Sequence, residues 1–215
     1  YSTLFQISQK SNKALLLLDL LGNIGLTRSH LRDPVGLLAF SDQIELFMKP
    51  KLGTSQVFYM AQQIFEKLAL QREFQTRRAA DFSVPFLFMA SRLKMRHSVI
   101  VISDVVDMLN NPEAVDFKLL RMLGSKHDMM FFILDDPEEF KVRSPLGYIR
   151  ISDMETGKQT VISARKVGAI RREIEESRGA LQYALKHRCG IDSVVLTPQN
   201  HHEELPKFLI SRTAR

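Results

Sequence analysis

Residues 13–23 read "KALLLLDLLGN", five consecutive apolar side chains that run into a single carboxylate at Asp19. An apolar run of this length reads as a strand buried on both faces, with its acid projecting at the carboxyl end. Residues 13–19 are therefore expected to form the first strand. The alternate positions after the acid are Leu21 and Asn23, so no hydroxyl follows it.

Outward from this stretch, short β-branched and aliphatic runs alternate with helical patterns. "PVGLLAFS" (34–41) and "QIELFMKP" (43–50) meet at Asp42, too close for a crossover, so they are expected to form an antiparallel hairpin with its second strand at a sheet edge. From Gly53 to about Leu70 a stripe of Val57, Met60 or Ala61, Ile64, Phe65 and Leu68 predicts a helix, capped by Thr54 or Ser55. A short helix within "FSVPFLFMASRLK" precedes the strand "SVIVISD" (98–104). "NPEAVDFKLLRMLG" supplies Asn111 as cap, Pro112 at the first helical position, Glu113 in the first turn and Gly124 as the stop. "HDMMFFILDD" (127–136) is a further strand, and "GYIRISDMETGKQTVIS" (147–163) a hairpin turning at "ETG". A long helix from Ala164 to about Arg188 places Val167, Ile170, Ile174, Leu181 and Leu185 on one face and ends at Gly190. "IDSVVLT" (191–197) is the last strand, and "HHEELPKFLISR" a last helix in which Pro206 marks a kink or a late start.

This order predicts an α/β fold: a mostly parallel sheet with one antiparallel edge strand, an extra β-hairpin, and helices on both faces. Ligands of such sheets bind beyond the carboxyl ends of the strands, which singles out Asp19, Asp104, Asp135 and Asp136. One irregularity stands out. Only thirteen residues separate Asp19 from Asp33, scarcely enough for a crossover helix, so either that helix is very short or residues are missing.

Composition sets the class. A chain of 215 residues, 45% hydrophobic and 25% charged, fits one domain over residues 1–215 with a substantial core. A net charge of +6 is too small an excess to specify an anionic partner. Cys189 is the only cysteine, which excludes an internal disulfide framework and suits a reducing, cytoplasmic setting. The longest apolar runs, "VPFLFMA" (84–90) and "MMFFIL" (129–134), fall short of the ~20 residues of a membrane helix, so no membrane contact is expected of this chain. The start at Tyr1 suggests a fragment of a longer parent that could be membrane-anchored.

The pieces "LLLLDLLGN", "DPVGLLAFSDQIELFMKPKLG", "SVIVISDVVD", "HDMMFFILDDPEE", "ISDMETGKQ", "GIDSVVLTP" and "LPKFLISR", in this order, resemble the bacterial domain of unknown function 58 family and its three-layer von Willebrand factor A-like (Rossmann-like) fold. That resemblance implies a metal-ion-dependent adhesion site, in which an Asp-x-Ser-x-Ser motif, a Thr and a second Asp surround Mg²⁺. Asp19 matches the first aspartate and Asp104 the later one, but Leu21 and Asn23 stand where the serines should be, and neither Thr76 nor Ser83 has the context of the threonine. The implied site is a degenerate one, a face of Asp19, Asn23 and Asp104, with at most weak Mg²⁺ binding and no cofactor. By the same resemblance, the implied role is a non-enzymatic protein-interaction module assisting a MoxR-type AAA+ ATPase in complex assembly or maturation.

Other features carry bland readings beside their sharp ones. "DDPEE" (135–139) could be a catalytic acid cluster but reads better as a solvated loop. The adjacent His201 and His202 are the histidines with metal-ligand spacing, and a surface helix N-terminus accounts for them. "QREFQTRR" (71–78), "RLKMRH" (92–97) and "ARKVGAIRR" (164–172) read as helix solvent faces rather than a nucleic-acid surface. Cys189 reads as a packed thiol, and "LLGNIG" (20–25) lacks the lysine and spacing of a phosphate loop. Two rivals to the interaction module stand: a metal-dependent hydrolase or phosphotransferase using Asp19 and Asp104, and a nucleic-acid binder using the basic helices.

Overall fold

Leucine, not valine or isoleucine, fills positions 15–18, 20 and 21, and leucine is among the stronger helix formers while strands favour β-branched residues. In the computed structural model, Lys13–His30 accordingly form a helix, α1, and the strand expected at 13–19 is absent. The model describes residues 12–74, 80–140, 148–152 and 159–213, with side chains for 12–69, 80–139 and 167–212. In α1, Lys13, Ala14, Leu16, Leu20, Leu21 and Gly25 are buried, at the three- and four-residue spacing of a helix. The apolar face of the helix is broad because it is covered on two sides. Leu16 and Leu20 pack with Met130, Phe132, Leu134 and Leu196, while Ala14 and Leu21 pack with Ala39, Met60, Ile64 and Leu68. The short interval before Asp33 is thereby explained: residues 13–30 are themselves a helix, and no strand lies between its start and β1.

The chain continues as β1 (Val35–Phe40), β2 (Ile44–Lys51), α2 (Thr54–Phe74), α3 (Ser83–Arg92), β3 (Ser98–Ser103), α4 (Val106–Asn110), a 3₁₀ turn (Pro112–Ala114) and α5 (Phe117–Lys126). Then follow β4 (Asp128–Leu134), a second 3₁₀ turn (Pro137–Phe140), β5 (Tyr148–Ser152), β6 (Gln159–Ser163), α6 (Ala164–Cys189), β7 (Asp192–Leu196) and α7 (His201–Thr213). Strands β3, β4 and β7 form a parallel sheet in that order, with Val101 opposite Phe131 and Phe132 opposite Val194. The hairpins β1–β2 and β5–β6 are antiparallel, as expected, but each forms its own two-stranded ladder among the described residues. The expected single sheet with an antiparallel edge is thus divided. Its physical reason is α1: the segment assigned to a further parallel strand is wound into a helix.

Helices bridge the first hairpin and the parallel sheet. On one side α1 contributes to both apolar clusters described above. On the other, α3 sets Phe82 edge-on to Phe40 of β1 at 5.2 Å and Phe86 against Phe131 of β4 at 6.4 Å. Side chains alternate along β4, as the pleat requires. Met129, Phe131 and Ile133 face a core with Leu120 and Leu123 of α5 and Leu181 and Leu185 of α6, and Met130, Phe132 and Leu134 face α1 and Phe208 of α7.

Caps and stops differ in detail from the sequence reading. Pro112 opens only the 3₁₀ turn; Asp116 caps α5, its Oδ1 accepting the Lys118 and Leu119 amides at 3.0 Å. Gly124 lies inside α5 rather than ending it. A Cβ there would stand 2.7 Å from the Cys189 carbonyl oxygen, so it is glycine for close packing. Gly190 does end α6, at φ 69°, with its amide donating to Lys186 O and that of Ile191 to Leu185 O at 3.0 Å, a left-handed helix stop. Phe65 and Ile170, placed on buried stripes by sequence, are 61% and 36% exposed. The "ETG" turn, Thr76 and the side chains of the basic cluster 71–78 lie outside the described residues. Among the described residues, no helix is long and apolar enough to cross a membrane.

Candidate functional site

The carboxyl ends of β3 and β4 carry Asp104 and Asp136, and both are buried. Each is used by its own chain. Asp104 Oδ1 accepts the Val106 amide at 3.3 Å, and Oδ2 lies 3.8 Å from the ammonium of Lys13, without a hydrogen bond of its own among the described residues. Lys13 is itself only 2% exposed, and its Nζ donates to Glu139 Oε2 at 2.7 Å. Asp136, fully buried, accepts the Asn12 amide at 2.8 Å on Oδ2 and the Glu138 amide at 3.0 Å on Oδ1, so it ties the start of α1 to the end of β4. Asp135 pairs with Arg178 of α6 at 3.1 Å. The "DDPEE" run is therefore not the solvated loop expected of it: three of its carboxylates hold α1 and α6 to the sheet end.

Backbone strain accompanies this arrangement. Val105, directly after Asp104, is fully buried and adopts φ 54°, ψ 14°, a left-handed conformation that β-branched residues rarely take. Such a conformation costs of order 1–3 kcal/mol. The Ser103 hydroxyl accepts the Val105 amide at 3.0 Å and holds the turn in place.

Asp19 is not at a strand end. It lies on α1 six residues beyond Lys13, about 9 Å along the axis at ~1.5 Å per residue. Its Oδ2 contacts Nε2 of His201, the first residue of α7, at 2.8 Å. Asn23 is exposed one turn further, and its carbonyl accepts the Thr27 hydroxyl at 2.7 Å. The expected single face of Asp19, Asn23 and Asp104 is thus two places: a buried carboxylate at the end of β3, and an exposed polar stripe on α1. Ser83, weighed for the missing threonine, donates its hydroxyl to Asp81 at 2.6 Å.

Two further groups stand out, one weighed in the sequence as a bland histidine pair and one not marked there at all. His201 is a helix N-terminal residue, as expected, yet it is buried, and with Asp19 and His202 it presents three possible metal-ligand atoms within 4.8 Å of one another. Lys13 gave no signal because lysine is rarely fully buried and here it opens a run of leucines. Cys189 is buried as expected, its thiol pushed up from the ordinary range by burial, against the opposing pull of Arg121 and Arg188.

A family model described as "Protein of unknown function DUF58" matches residues 2–182 of the chain. No curated protein and no solved structure matches it.

Proposed function

The chain belongs to the DUF58 family of proteins of unknown function, and from that premise we propose that it is a non-enzymatic, von Willebrand factor A-like protein-interaction module with a degenerate metal site. The observation that carries this reading is the buried contact of Lys13 with Asp104 and Glu139. The positive charge that opposes the sheet-end carboxylate is the chain's own ammonium, so a divalent cation would have to displace it. Magnesium needs several oxygen ligands in near-octahedral order. Asp104 Oδ1 is already engaged by a backbone amide, Asp136 by two, and Asp19 by His201. What remains is a surface. Asp19 and Asn23 stand exposed on α1 and can accept and donate hydrogen bonds to a partner. A MoxR-type AAA+ ATPase is the partner implied by the family resemblance.

The test is paired. Incubation with phosphomonoester, phosphodiester and carboxylic ester substrates in Mg²⁺ or Mn²⁺ is expected to give no turnover; turnover that disappears in Asp104→Asn would establish the hydrolase reading instead. Binding to a purified MoxR-type ATPase from the same organism is expected to be saturable and to weaken when Asp19→Ala and Asn23→Ala are combined. A flat response removes that partner.

A further inference from the structure

We propose that Asp19, His201 and His202 form a binding site for a borderline divalent transition ion of the Zn²⁺ or Co²⁺ kind. The inference is separate from the sheet-end carboxylates and shares only Asp19 with the proposed interaction face, whereas His202 belongs to the metal site alone. Three observations converge on it.

The first is composition and reach. One carboxylate and two imidazoles present ligand atoms within 4.8 Å of one another. Bonds of about 2.0–2.1 Å in tetrahedral order place ligand atoms about 3.3 Å apart. Asp19 Oδ2 and His201 Nε2 are in direct contact at 2.8 Å, so a rotation of the exposed Asp19 side chain must open the pair slightly to admit the ion. His202 is exposed and its ring centroid lies 3.7 Å from that of His201, so a side-chain rotation on the solvent side completes the set. Two nitrogens and one oxygen suit zinc or cobalt, and disfavour magnesium and calcium, which prefer oxygen alone.

The second is the state of the buried ring. His201 is 7% exposed, and both its nitrogens face acceptors: Nδ1 lies 3.1 Å from the Thr197 carbonyl and Nε2 2.8 Å from the Asp19 carboxylate. A neutral imidazole carries one N–H, so it cannot satisfy both. With its N–H on Nδ1, facing the Thr197 carbonyl, the ring turns the Nε2 lone pair toward the Asp19 carboxylate, and the two can share an ion. An imidazole whose Nδ1–H is held by a backbone carbonyl, leaving Nε2 for the ion, is the usual arrangement of a metal-ligating histidine.

The third is charge and access. A helix N-terminus alone repels a cation; Glu203 and Glu204 in the same first turn of α7 offset it in part, since Lys207 pairs with both. The Asp19 side chain is 42% exposed, so an ion can enter from solvent and keep a coordination position for water. Bound there, it would join α1 to α7 across 182 residues of sequence.

The experiment uses tag-free protein, stripped with a chelator and titrated calorimetrically with ZnCl₂ and CoCl₂. One site per chain is expected, with a visible-region Co²⁺ absorption band and a rise in melting temperature, because an ion that binds only the folded state stabilises it. His202→Ala alters an exposed side chain and should keep the metal-free melting temperature, while Asp19→Asn, which changes the group that meets His201, is read against its own metal-free baseline. Each should weaken binding by about 100-fold or more, the upper end of what even an indirect ligand partner contributes. A flat titration overturns the assignment. So does binding that both variants leave unchanged.

Discussion

His127 stands just before β4, 1% exposed, with Nδ1 accepting the His97 amide at 3.3 Å and Nε2 buried with no hydrogen-bond partner among the described residues. The amide fixes the tautomer: Nδ1 carries the lone pair, and a second proton there would meet an N–H. Burial, and then the neighbouring charges of Lys126 and His97, hold the imidazole below its ordinary value of 6.5. The sign follows from proton counting. Between the depressed folded value and about 6.5 the unfolded chain binds more protons than the folded one, so stability is full above about 6.5 and falls as pH drops through the folded value. The urea midpoint is expected to decrease between about pH 7.5 and about pH 5.5, and His127→Asn, whose side-chain oxygen can still accept the amide, should flatten that decrease. An unchanged slope in the variant would assign the acid sensitivity elsewhere. None of this was visible in sequence, where a histidine and a lysine carry no mark of burial. The same holds for Lys13, whose partners Asp104 and Glu139 are 91 and 126 residues away.

Within the elements, legibility followed side-chain branching. "SVIVIS" and "DSVVL", rich in valine and isoleucine, are strands β3 and β7 as expected, and the stripe from Val57 to Leu68 lies on α2. Residues 13–19 misled because a helix buried on two sides and a buried strand both read as continuous apolar runs. The usable signals were the leucine content and the short interval to Asp33, which left no room for another helix. Two glycines in α1 now separate packing from propensity. At Gly22 a Cβ would meet nothing within 4 Å, whereas at Gly25 it would stand 2.6 Å from Cγ1 of Val57, a stiff β-branched side chain only 1% exposed on α2. Gly22→Ala is expected to stabilise the protein by up to about 1 kcal/mol through helix propensity. Gly25→Ala gains the same propensity but overpacks the crossing, and should destabilise by about 1–3 kcal/mol in urea unfolding. Adding Val57→Ala to the latter should cost less than the sum of the two single changes, the mark of direct contact. Equal effects at the two glycines would refute the close α1–α2 crossing.

For the whole molecule, α7 works as a strap along one face of the parallel sheet. Its start meets α1 through His201 and Asp19, its middle sets Phe208 edge-on to Phe132 of β4 at 6.0 Å, and its end carries Arg212. Arg212 Nη1 donates to Asp192 at 2.7 Å and Nη2 to Asp128, so one guanidinium gathers the first residues of β7 and β4. The side chain is 17% exposed and its two partners 19% and 44%, so water screens the pairs in part. A loss of about 1–3 kcal/mol is expected for Arg212→Ala, between surface pairs and hydrogen bonds to buried charge. Arg212→Lys should recover less than half, since an ammonium cannot span two carboxylates as a planar fork does. Native-state hydrogen exchange locates the effect. If the strap couples the strands, amides of β7 and α7 lose protection together in Arg212→Ala, because among the described residues β7 borders β4 alone and Phe208 packs in the same cluster as Val194 and Leu196. Loss confined to the last turn of α7 would mean that the helix frays independently, and that the sheet holds its order without it.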